Sequence, residues 1–89
     1  MRLLVKAGAY AVTIHGLEAM EDDGLTTFDV EACVATGTIV RRQRDRRTGE
    51  WKYLVRGHSL DDREIVVVAK IGPRNTAVML TTYVVDEEA

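Results

Sequence analysis

His58, Arg56, Lys70 and Tyr83 combine an imidazole, two cations and a phenol, and alternation along strands places all four on one sheet face. Together these groups could cleave RNA without a metal. That reaction needs a base for the 2′-hydroxyl proton, an acid for the leaving oxygen, and cations for the charged phosphorane. Imidazole is the side chain suited to either proton-transfer role near neutral pH. Arg56 and Lys70 would hold phosphate charge, and Tyr83 would stack on an unpaired base or donate a proton. Lys52 and Thr81 share the face and would contact the RNA. The competing reading is an ordinary solvated sheet face, because alternation is a property of every strand.

His15 is a further catalytic candidate. It falls in the first turn of a predicted helix, with Glu18 within reach one turn later. A histidine there can equally bond the backbone or pack between elements. With only His15, His58 and a lone Cys33, no pair has ligand spacing, so no metal site is expected. Glycine-rich phosphate loops and nucleophile elbows are absent from the sequence, and no cofactor is expected. Trp51 and Tyr53 read as core and cross-strand partners.

Charge is distributed unevenly behind the net −2. Glu18 to Glu31 holds six acids and no lysine or arginine, whereas Arg41 to Arg56 holds seven bases against Asp45 and Glu50. Arg41, Arg42, Arg44, Arg46 and Arg47 therefore predict a basic ridge that would meet RNA or an acidic protein.

The elements that must position these groups are short. Thr13 caps a helix running to about Asp23, with Ile14, Leu17 and Met20 as its apolar face. Gly24 follows its end, and Thr26 with Asp29 forms a capping box for a second helix. Phe28, Val30, Ala32, Cys33, Val34 and Ala35 would supply that helix's buried side, and Gly37 stops it. Arg2 to Ala7 could be a short helix or an edge strand.

Strands are expected over Thr38–Arg44, Trp51–His58, Glu64–Ile71 and Thr76–Val85, with a hairpin turn at Gly49. The helix-facing sets would be Trp51, Tyr53 and Val55; Ile65, Val67, Ala69 and Ile71; and Val78, Leu80, Thr82 and Val84. Met79, Thr81 and Tyr83 would then face away. The fold class is α+β: two N-terminal helices on one face of an antiparallel sheet of about four strands. Residues 13–36 form the helical hairpin and 38–85 the meander, and Asp86-Glu87-Glu88-Ala89 reads as a frayed acidic tail.

The 89 residues suffice for one domain, and 46% hydrophobic with 29% charged residues is a globular rather than disordered composition. No apolar run approaches the ~20 residues of a membrane span, and the first residues are too soon interrupted to be a signal peptide. Cys33 has no cysteine to pair with, reads as a small core residue and fits a reducing cytosol. These features predict a cytoplasmic protein.

The order of motifs resembles the domain-of-unknown-function family numbered 4258, small prokaryotic domains grouped with toxins of the RelE/BrnT kind. Family members typically read His-x-x-Glu-Arg-Met, Arg-Gly-Ile-Ser, Asp-Val and Thr-x-Tyr. His15, Glu18, Met20, Gly24, Asp29, Val30, Thr81 and Tyr83 fit, and Leu25 and Thr26 are near-equivalents. Ala19 and Asp23 stand where arginines are expected. The resemblance covers roughly residues 10 to 84 and implies a RelE-like toxin architecture. It also implies a metal-independent endoribonuclease and a cognate antitoxin of zinc-finger or helix-turn-helix type. The two replaced arginines keep open a degenerate module that binds RNA or protein through the basic hairpin. A homodimer formed through the acidic helices is a third reading.

Overall fold

The computed structural model describes residues 1–85, so the acidic tail at 86–89 lies outside the described residues. Helix α1 spans Arg2–Lys6, strand β1 Tyr10–Val12, α2 Ile14–Asp22 and α3 Thr27–Thr36. Strands β2 (Thr38–Arg44), β3 (Trp51–His58), β4 (Glu64–Gly72) and β5 (Thr76–Val84) follow. A 3-10 turn at Pro73–Asn75 joins β4 to β5.

Both main helices start where side chains satisfy free amides. The Thr13 hydroxyl accepts from the Gly16 N–H at 2.9 Å, and α2 stops before Gly24, whose φ is +64°. At α3 the capping box closes both ways. The Thr26 N–H donates to Asp29 Oδ2 at 2.8 Å, and the Asp29 N–H donates to the Thr26 hydroxyl at 3.4 Å. A cap of this kind contributes about 1 kcal/mol.

The sheet has five strands in the order β1-β5-β4-β3-β2, with β1 parallel to β5 and the other pairs antiparallel. It is therefore mixed, where a four-stranded antiparallel meander was expected. The added strand, β1, has three residues, too few for alternation to signal it.

The core lies between the helices and one sheet face. Val55, Ile65, Val67, Ala69, Ala77 and Met79 meet Met20, Leu25, Val30, Cys33 and Val34 there. Each fully buried valine or isoleucine contributes about 1.5–3 kcal/mol. Helix α3 reaches β3 through glycines: a Cβ on Gly57 would stand 2.4 Å from the Cys33 carbonyl, and one on Gly37 2.4 Å from that of Arg56.

Four apolar assignments change. Helix α2 rests on Gly16 and Met20, because Gly16 brings its backbone against the Met79 carbonyl (a Cβ there would lie 3.0 Å away). That rotation turns Ile14 (77% exposed) and Leu17 outward. Val30, Cys33 and Val34 are the buried side of α3, while Phe28 is 65% exposed. Ile71 and Trp51 are exposed at the end of the sheet, outside the buried cluster.

Strand β5 carries the fourth change. Val68 pairs with Thr81 but Ala69 with Met79, so Leu80 is an extra residue in β5 and shifts the alternation by one. Ala77 and Met79 before this bulge, and Thr82 and Val84 after it, point toward the helices. Met79 is thus core, contrary to the simple alternation. Thr81 and Tyr83 keep the open face.

Candidate functional site

Pairing across the open face sets its rows. Arg56, Val66 and Tyr83 form one, Leu54, Val68 and Thr81 the next, and Lys52, Lys70 and Val78 a third. His58 lies opposite Glu64 beyond the first row. Four residues of strand separate the first row from the third, about 13 Å. The sheet candidates therefore share a face without forming one group. His58, Arg56 and Tyr83 occupy one end, Lys70 and Lys52 the other, with Thr81 between.

At the first end Arg56 is engaged with a carboxylate, its Nε 2.5 Å from Glu64 Oε1. Tyr83, two strands away in the same row, is 44% exposed. The His58 backbone N–H donates to the Thr36 hydroxyl at 3.5 Å, tying the end of β3 to the end of α3.

At the other end a cleft of about 390 Å³ brings His15 into one space with Lys52, Lys70, Arg47, Asp45 and Glu50, with Thr13 and Leu80 in its walls. Thr13 sets the position of His15. Its backbone N–H donates to the Met79 carbonyl at 3.0 Å and its hydroxyl to the Leu80 carbonyl at 3.2 Å. The start of α2 is thereby fixed on β5 next to the bulge.

The hairpin supplies the opposite wall. Asp45 Oδ1 accepts from the Arg47 N–H at 2.8 Å and the Thr48 N–H at 3.3 Å, while Gly49 takes φ +75°. These two backbone amides, helped by the charges of Lys52 and Arg47, hold the Asp45 carboxyl below its ordinary range. The folded turn delivers Arg47 and Glu50 to the cleft.

Lys52 and Lys70 are directly paired across β3 and β4, and like charges so placed repel. Carboxylates offset this: Lys70 Nζ lies 3.0 Å from Glu50 Oε2 and Lys52 Nζ 3.9 Å from Asp45 Oδ2. Sequence reasoning did not name Asp45 or Glu50 as site residues. Two lysines facing each other across a hairpin were the signal that could have found them. An imidazole, carboxylates and three cations around one space are the groups needed for proton transfer beside a phosphate.

The arginine ridge divides. Arg42 and Arg44 share a face with Trp51, their guanidinium carbons 6.0 and 5.9 Å from the centre of its ring. Arg41, opposite Leu54, points to the open face. Arg47 lines the cleft, and Arg46 is exposed in the turn.

Two buried polar groups serve the fold. Asp29 Oδ1 accepts the Leu60 N–H at 3.0 Å while Oδ2 serves the cap. The Thr26 and Leu60 amides hold its carboxyl below the ordinary range against the opposing effect of burial. Burial pushes the Cys33 thiol up to about 11, so it is not a thiolate at neutral pH. Arg63 closes the acidic end of α2, donating to the Asp23 and Gly24 carbonyls at 2.7 and 3.3 Å.

The residues that carry the family resemblance sort by exposure. Met20, Asp29 and Val30 are buried and Gly24 needs its positive φ, which accounts for them by folding alone. His15, Glu18 and Tyr83 are exposed and Thr81 half-buried, so packing does not account for them. No helix among the described residues is long and apolar enough to cross a membrane. Searches of curated proteins and of solved structures each found no match. Residues 12–84, most of the chain, match the family described as "Domain of unknown function (DUF4258)", and the chain belongs to that family.

Proposed function

We propose that this chain is a toxin-type endoribonuclease of the RelE/BrnT kind, cytoplasmic, neutralised by a cognate antitoxin of zinc-finger or helix-turn-helix type. The observation that carries this reading is the convergence of His15, Glu50, Arg47, Lys52 and Lys70 on one cleft. In the proposed reaction the 2′-oxygen, losing its proton to a base in the cleft, attacks phosphorus as the bond to the 5′-oxygen breaks. That oxygen leaves with a proton from the conjugate acid, giving a cyclic phosphate and a free 5′-hydroxyl. His15 and Glu50 are the proton carriers, and Lys52, Lys70 and Arg47 hold the phosphorane charge. The flanking strand runs over Thr81 toward Arg56, Tyr83 and His58, where the phenol ring offers a stacking surface. Cleavage of a labelled RNA in EDTA tests the proposal. His15→Ala and Lys70→Ala should each lower the rate by about 10²-fold or more, with His58→Ala affecting binding instead. Cleavage that needs a divalent metal, or that survives both cleft substitutions in folded protein, would overturn it.

A second reading is a non-catalytic module that binds RNA or protein through the basic hairpin. Ala19 and Asp23 in place of arginines favour it, as do the carboxylates already paired with Arg56, Lys52 and Lys70. It requires no cleavage and no growth arrest on expression. Binding to single-stranded RNA should weaken, for each phosphate neutralised, by about 0.7 log units per tenfold rise in salt.

A further inference from the structure

Strand β2 is the free edge of the sheet opposite β1, and all seven of its residues are exposed; Val40 is an extra residue between Ile39 and Arg41, so the regular run of this edge is Arg41 to Arg44. Such an edge leaves a row of backbone N–H and C=O groups open to another strand. Arginines commonly guard an edge by charge alone. Here two of them are ordered by a ring, Arg42 and Arg44 lying over Trp51, itself 46% exposed. Both guanidiniums stand on one face of the edge, two residues apart, a spacing of about 6.6 Å. Further along the same strand Ile39 and Val40 are exposed apolar residues.

We propose that the β2 edge receives an extended acidic segment of a partner protein, which adds to the sheet as a sixth strand. Its carboxylates recur at every second residue, so that consecutive ones meet Arg42 and Arg44 along the regular part of the edge. Strand addition gains affinity from main-chain bonds and specificity from alternate side chains, which is the arrangement this edge offers. A second copy of β2 fits less well, because antiparallel self-pairing centred on the strand would set Arg41 against Arg41. Nucleic acid would meet the guanidiniums but leave the backbone row unused. The inference concerns a different edge from the cleft and holds whether or not the chain cleaves RNA.

The test uses an acetylated octapeptide of alternating Glu and Val, and a twin of equal charge with every second amide N-methylated. Trp51, the sole tryptophan, reports binding by its fluorescence. The parent peptide should bind the unaltered chain and slow hydrogen exchange at the Thr38–Arg44 amides. The twin should bind more than about tenfold more weakly, for want of main-chain bonds. Arg42→Glu/Arg44→Glu should weaken the parent by a similar factor at unchanged melting temperature. No binding of the parent, equal binding of parent and twin, or oligouridylate protecting those amides better than the peptide would overturn the proposal. The comparison of the two peptides needs no variant, so a misfolded double mutant leaves the test intact.

Discussion

Lys70 and Glu50 meet at the cleft with Nζ 3.0 Å from Oε2, joining the middle of the sheet to the hairpin that folds beside it. Both side chains are partly exposed, 28% and 41%, and pairs in that setting contribute about 1 kcal/mol or less. The contact therefore matters more for the charge presented to a ligand than for stability. With Glu50 and Asp45 in place the two lysines are largely neutralised; without them the cleft is a cationic pocket beside His15.

Replacing Glu50 with Gln tests this balance. Melting should change by no more than about 0.5 kcal/mol, while binding of oligouridylate tightens and its salt dependence steepens. If Glu50 is also a proton carrier, the same variant binds better and cleaves more slowly. A large loss of stability with unchanged binding would make the pair structural. Titrations at several salt concentrations, beside a thermal melt, separate these outcomes.

Asp29 should contribute to stability against acid. Its carboxylate bonds the Thr26 and Leu60 amides and its pKa is lowered by them. A depressed folded pKa gives stability that is present above the unfolded value and is lost as pH falls through the folded one. The loss should therefore begin below about pH 4. Asp29→Asn should flatten that part of a curve of urea midpoint against pH, and Asp29→Ala should cost about 2 kcal/mol at neutral pH. A variant with the parental slope at low pH would show that other carboxylates govern acid unfolding.

Cys33 should be silent until the chain opens. It is fully buried, its sulfur 3.7 Å from the Val55 and Ile65 carbonyls, and its thiol pKa is raised by burial. A thiol reagent should label it at the rate of global opening and promptly in denaturant. Fast labelling under native conditions would mean that α3 lifts from β3 on its own.

The sequence carried most of the architecture and little of the site. Thr13, Thr26 and Asp29 announced both helix starts, because capping is local chemistry. The run from Ile65 to Ala69 announced which face of β4 is buried, because one strand contains the whole signal. The bulge at Leu80 was invisible: it is a relation between two strands, and the extra residue is as apolar as Met79 before it. The cleft was hidden for the same reason, since Thr13 and His15 come to line one space with Lys70 and Glu50 only once the sheet is assembled. Alternation placed Arg56, His58, Lys70 and Tyr83 on one face but said nothing of the length of that face.

Thr13 and Leu80, joined through a hydroxyl and a carbonyl, are 67 residues apart along the chain. No local element brings these two residues together, so the contact requires the assembled sheet. The helical pair and the β2–β3 hairpin are each built from neighbouring residues, but the wall that holds His15 is not. The basic surface is thus a local property of one hairpin, whereas the proposed chemistry depends on the whole fold.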